Sequence, residues 1–176
     1  MINLRIKAWG LGLCLLSMVV TPYVAYAQDS FKLKAALTYN LAKFVKWLPE
    51  SVPKDTWQLC YFGQEYDLGF EQLKNKKLQG KALQAKRLRE VSQASSCQIV
   101  YIDANHRKLL PRLFIALKNK PILTISDSSG FVDQGGMLEI ISIESKLRFK
   151  ANQFEMEKTG LTMSSRALRL ALEVKN

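Results

Sequence analysis

The chain has 176 residues, of which 48% are hydrophobic and 23% charged, and its formal net charge is +11. Those proportions exclude a disordered chain and fit one globular domain. Three cysteines are too few for a disulfide-dense miniprotein. A basic surplus raises nucleic acid as a partner, but only in a compartment that holds it.

Residues 1–27 read as a secretory signal peptide. Arg5 and Lys7 form a positive start, an uncharged apolar run covers residues 8–20, and Pro22 ends it. Ala25 and Ala27 place small residues at the −3 and −1 positions of a cleavage site. The apolar run falls short of the roughly 20 residues that span a bilayer. Cys14 suggests no lipoprotein, because Leu13 is bulky and the apolar run continues past it. Cleavage after Ala27 leaves residues 28–176 as one domain and, with Arg5 and Lys7 removed, lowers the charge from +11 to +9. The expected location is outside the cytoplasm, which removes nucleic acid as a partner. Anionic lipid headgroups and acidic protein surfaces take its place.

The two cysteines of the remaining chain, Cys60 and Cys97, sit in apolar, strand-like runs. In an oxidising compartment they read as one disulfide, with two buried thiols as the rival reading. A bridge over that separation contributes about 4 kcal/mol in the chain-entropy model.

Along the chain, residues 31–48 have helical periodicity, with Ser30 as N-cap and Pro49 as stop. Ala36, Trp47, Asn40, Leu33, Phe44, Leu37, Leu48 and Leu41 fall on one face, and Lys32, Tyr39, Lys43 and Lys46 on the other. Asn40 interrupts the apolar stripe, so it needs either a structural partner or a ligand. Residues 57–62 read as a strand, followed by a short helical piece near 70–73. Lys74, Lys76, Lys77, Lys81, Lys86, Arg87 and Arg89 then follow without an intervening acid, across a loop at Gly80 and a strand. This run is either a solvated surface or a face for an anionic membrane.

Residues 99–102 and 122–125 read as strands, and residues 109–117 as a helix that tolerates Pro111 in its first turn. Residues 126–130 form a turn cluster. Gly135-Gly136 relieves backbone crowding before a hairpin made of residues 137–143 and 146–151. Ser164 is expected to start a C-terminal helix, with Ala167, Leu168, Leu170, Ala171, Leu172 and Val174 on its apolar side. Arg169 would pair with Glu173 there. The alternation of strands and helices points to an α/β layered sandwich: a mixed parallel and antiparallel sheet flanked by helices.

No catalytic set emerges. His106 is the single histidine, in a polar turn where solvent exposure is expected, and no GxSxG surrounds a serine. One histidine and two bridged cysteines make no metal site. Phosphate-binding glycine loops are missing, so no cofactor is expected. The carboxylates are scattered in sequence, and only the fold decides whether they converge. Ser164, Ser165 and Arg166 would suit a phosphate or carboxylate at a helix start, against plain capping by Ser164.

The ordered stretches 34–47, Cys60 in its strand, 80–83, 97–102, 123–127 with Gly130-Phe131, Gly135-Gly136-Met137, Arg148-Phe149 and 160–171 resemble the YfiR-like periplasmic proteins. The resemblance implies a non-catalytic regulator that binds the periplasmic sensor domain of an inner-membrane diguanylate cyclase and represses cyclic-di-GMP synthesis. It also implies a homodimer and a stabilising cysteine pair at Cys60 and Cys97. A further cysteine pair of some relatives is missing here. Leu48 and Lys46 depart from the proline and acid of the family pattern, on a face that would meet a partner, and Asn40, Lys43 and Trp47 are further candidate contacts for a ligand or partner. The alternative function is a periplasmic sensor or carrier of small anions.

Overall fold

The computed structural model describes residues 23–176, so residues 1–22 of the expected signal peptide lie outside the described residues. In chain order the elements are α1 (Tyr23–Ala42), β1 (Val45–Lys46), β2 (Thr56–Tyr61), α2 (Asp67–Glu71), β3 (Lys77–Leu78), β4 (Lys81–Arg87) and β5 (Ile99–Ile102). They continue with α3 (Leu110–Leu117), β6 (Leu123–Ser126), β7 (Leu138–Ile143), β8 (Lys146–Asn152), α4 (Gln153–Glu157), β9 (Thr162–Met163), α5 (Ser165–Leu168) and β10 (Glu173–Lys175). Among these, no helix is long and apolar enough to cross a membrane.

The main sheet has eight strands in the order β10-β8-β7-β6-β5-β2-β4-β3. Its central strands β4, β2, β5, β6 and β7 run parallel, while β7–β8 and β3–β4 are antiparallel hairpins. The expected mixed α/β sandwich is therefore present. Alternation sends Trp57, Leu59 and Tyr61 of β2 to one face and Cys60 to the other. The first face packs with Tyr101, Ile125, Leu138 and Phe149 beneath α1 and α2. Val100 and Ile102 cover the opposite face together with Leu110, Leu113 and Leu117 of α3 and Phe131. Strands β5 and β6 are buried throughout, as expected of parallel strands covered on both sides.

Helix α1 differs from its sequence reading at both ends. It runs through Ser30 instead of being capped there, and it stops at Ala42 rather than at Pro49. From Val45 the chain is extended, pairing Val45 with Met163 and Lys46 with Thr162. The side chains from Val45 to Leu48 alternate buried and exposed, a strand period that pairing with β9 selects over the helical one. Counting Phe44, Trp47 and Leu48 as helical rotated the inferred stripe. The packed face is Ala35, Thr38, Leu41 and Ala42, whereas Leu33 and Asn40 are exposed. Gly69 of α2 lets the two helices come close, since a Cβ there would stand 2.8 Å from the carbonyl oxygen of Phe31 and 3.3 Å from the Ala35 Cβ.

At the other end of the chain, the expected C-terminal helix is a four-residue turn, Ser165–Leu168. Beyond it, Glu173, Val174 and Lys175 pair in parallel with Lys150, Ala151 and Asn152 of β8. Glu173 accordingly bonds Lys150, at 2.7 Å, and not Arg169. The edge of β8 offered backbone partners that a helix would have left unsatisfied.

The 126–136 loop is held from below by buried polar groups. The Glu139 carboxylate accepts from the N–H groups of Gly130 and Val132, and the Asn152 amide donates to the carbonyl of Val132. Gly136 has the crowding expected of it, since a Cβ there would stand 2.2 Å from the Phe131 ring.

Candidate functional site

The five parallel strands are arranged second-first-third-fourth-fifth, counting along the chain. The connection after β2 leads to β4 on one side, and the chain then crosses to β5 on the other. The reversal makes a crevice at the carboxyl ends of β2 and β5, the place where open α/β sheets collect functional side chains. Here it gathers Glu65 and Tyr66 after β2, Asp103, Asn105 and His106 after β5, and Asp127 after β6.

Asp127 is the centre of the cluster. One carboxylate oxygen accepts from Lys34 Nζ of α1 at 2.6 Å and from the Tyr66 hydroxyl at 3.0 Å. The other accepts from the Ala104 N–H at 2.7 Å. Tyr101 in turn donates its hydroxyl to Tyr66 at 3.0 Å. Burial, and then the charge of Asp127, hold both phenols far above their ordinary pKa, so they stay neutral donors. Phe31 packs edge-on against Tyr66, with ring centroids 4.8 Å apart. The arrangement ties α1 to the carboxyl edge of the sheet.

Beside it, Asp103 is almost fully buried and bonds the His106 ring through Nδ1 and the Asn105 N–H through its second oxygen. Burial pushes the Asp103 carboxyl up, more than His106 draws it down. Glu65 shows the opposite balance. Burial opposes its charge, but its own backbone N–H, the Asn105 amide, Asp103 and His106 together hold it below the usual range. His106 thus turns towards a buried carboxylate, with its side chain 36% exposed, and is not the free loop histidine expected. Among the described residues no group of three or more His, Cys, Asp or Glu could hold a metal ion. The chemistry these contacts support is that of a clamp: Asp127 has three donors and its neighbours bond one another.

The residues singled out by sequence are placed elsewhere. Cys60 and Cys97 are bridged, with Cα atoms 6.0 Å apart, although Cys97 lies just before β5 rather than in it. Trp47 is a core residue: its Nε1 donates to the Pro121 carbonyl at 3.1 Å and its ring stands edge-on to Trp57. Asn40 and Lys43 are exposed, with the Lys43 ammonium 5.5 Å from the Tyr39 ring. Pairing of β1 with β9 brings Phe44 beside Ser164, whose N–H donates to the Phe44 carbonyl at 2.9 Å. The Ser164 hydroxyl caps α5 by accepting from the Ala167 N–H, while Ser165 and Arg166 are exposed. Capping is thus the role of Ser164, and the helix it starts is too short to make an anion site.

Of the seven cations in the basic run, two are tied into the fold. Arg87 bonds Asp67 at 2.8 Å, and Lys81 donates to the Pro53 carbonyl. Lys74, Lys76, Lys77, Lys86 and Arg89 are exposed. The carboxyl-edge cluster was missed by sequence, although a signal for it exists. Tyr101-Ile102-Asp103 and Ile125-Ser126-Asp127 both place an aspartate directly after a strand, where parallel strands deliver their side chains to one crevice.

The family model described as YfiR/HmsC-like matches residues 31–172. The chain belongs to the YfiR/HmsC-like family. This is a family of periplasmic regulators, and the match takes in both bridged cysteines, the Asp127 cluster and the basic run. No curated protein matches the chain. Among solved structures, a conserved domain protein from Vibrio cholerae is similar over 82% of this chain and 60% of its own, with 13% identity and a TM-score of 0.53. That likeness is one of fold. A second, an ABC domain from Streptococcus pneumoniae in complex with L-Trp, has 13% identity over 84% of this chain and 60% of its own, with a TM-score of 0.49. The YfiR/HmsC-like chain therefore spans about 60% of the length of each.

Proposed function

We propose that this protein is a non-catalytic periplasmic regulator that docks on the periplasmic sensor domain of an inner-membrane diguanylate cyclase and holds the cyclase in its low-activity state. Membership in the YfiR/HmsC-like family carries the reading. It is supported by the carboxyl-edge cluster, where Asp127 accepts from Lys34 of α1, from Tyr66 and from the Ala104 N–H and so joins separate elements of the fold. Repression by docking requires only that the regulator bind the inactive state of the cyclase more tightly than the active one. A small-anion sensor or carrier is the second reading, and it would draw on exposed Asn40, Ser165 and Arg166 beside the Ser164 cap.

Affinity purification of the tagged protein from periplasm-accessible membranes, after brief crosslinking, tests the reading. A cyclase whose isolated periplasmic domain binds the purified protein is the expected result. Recovery of no cyclase, together with no binding to the periplasmic domain of any cyclase in the same genome, would overturn it.

A further inference from the structure

We infer that the open sheet face at the β3–β4 edge is a docking surface for anionic phospholipid headgroups. Helix α3 covers the face of the sheet that carries Cys60 and Val100, and its cluster reaches past β2 on that side only at Leu88, Val91 and Ala94, after the end of β4. The register places Lys86 beside Cys60, Gln84 beside Gln58 and Ala82 beside Thr56, all projecting to that same face. Cys60 is buried, but Ala82, Gln84 and Lys86 on the next strand are exposed. Lys77 stands opposite Ala82 across the β3–β4 hairpin and so shares the face. Leu78 and Leu83 point the other way, into the core under α1 and α2.

The uncovered face is thus polar and cationic, with a Gln58–Gln84 side-chain hydrogen bond of 3.0 Å across it. Lys74 and Lys76 lead into it and are exposed, as is Arg89 beyond its far end. The neighbouring exposed acids are Asp55 before β2, Glu71 at the end of α2 and Glu90 after Arg89, outside the strands that form the face. Lysines are compact point charges without the bidentate geometry that picks out one carboxylate. A group of them on one sheet face, with no apolar anchor, suits adsorption to a charged lipid surface. Each contributes about a fivefold gain in partitioning near an anionic membrane, falling off within a Debye length. Adsorption would hold the protein at the periplasmic surface of the membrane. The inference needs the periplasmic location of the family but no cyclase, so its test is independent of the proposed partner.

Cosedimentation of the purified protein with phosphatidylglycerol-containing vesicles, against pure phosphatidylcholine vesicles, is the experiment. Binding to the first alone is expected, with loss as salt is raised. The Lys77→Gln/Lys86→Gln variant, shown by its melting curve to be folded, should bind at least about tenfold more weakly. A Lys43→Gln/Lys46→Gln control, at two exposed lysines that follow α1 on the other side of the sheet, should keep more of the affinity. Equal binding to both vesicle types, equal losses in the two variants, or binding to an acidic polypeptide without binding to vesicles would each overturn the inference.

Discussion

Replacing both bridged cysteines with alanine should lower stability by about 4 kcal/mol. The bridge joins β2 to the segment just before β5, two strands that are neighbours in the sheet and 37 residues apart at the cysteines. Removing it returns the entropy of that closed loop to the unfolded chain. Both side chains are buried among Val100, Leu113 and Phe131, so small voids add to the cost. For a domain of this size the loss corresponds to a fall in Tm of roughly 10 °C. Thermal melts of protein purified from the periplasm, with and without reductant, measure it directly. The wild type should melt earlier with reductant, and the double variant should be indifferent to it. Two titratable thiols in the unreduced, denatured protein, or coincident wild-type melts, would refute the reasoning.

Asp127→Ala should cost about 2–4 kcal/mol in urea melts, because Lys34 and the Ala104 N–H lose their acceptor at a largely buried site; a change below about 0.5 kcal/mol would count against the clamp. Trp47→Phe should cost about 1–2 kcal/mol by freeing the Pro121 carbonyl and thinning the contact with Trp57. Equal stability of that variant would return Trp47 to the surface role read from sequence. The folded-state pKa values of Tyr66 and Tyr101 lie above those of the unfolded chain, which therefore gives up its protons first. Stability should be untouched by these groups below about pH 10 and fall above it. Phenolate absorbance should show these tyrosines titrating only with unfolding, and early reversible titration of Tyr66 and Tyr101 in the folded protein would contradict it.

Most of the core was readable from apolar runs, because buried parallel strands such as Ile99–Ile102 leave little ambiguity. The hairpin of β7 and β8 was equally plain in the alternation of Leu147, Phe149 and Ala151 with charged residues. Misreadings came where a tertiary partner overrode local periodicity. Val45–Lys46 left the helix to pair with β9, and Glu173–Lys175 left it to pair with β8. A residue-by-residue helical count cannot include a partner strand outside its own window, whether that strand is 118 positions away, as Met163 is from Val45, or 23, as Lys150 is from Glu173. The clamp was hidden for a related reason. Lys34, Tyr66, Tyr101 and Asp127 come from separate elements, and only the strand order brings them together. Conversely, Trp47 and Asn40 seemed to share a face only while the helix was drawn through Phe44.

The central claim is repression of a cyclase from the periplasm, and the cellular pool of cyclic-di-GMP tests it most directly. Deleting the gene should raise that pool, and restoring the protein to the periplasm should return it to the starting level, whereas restoring a form confined to the cytoplasm should not. An unchanged pool in the deletion strain would contradict the account.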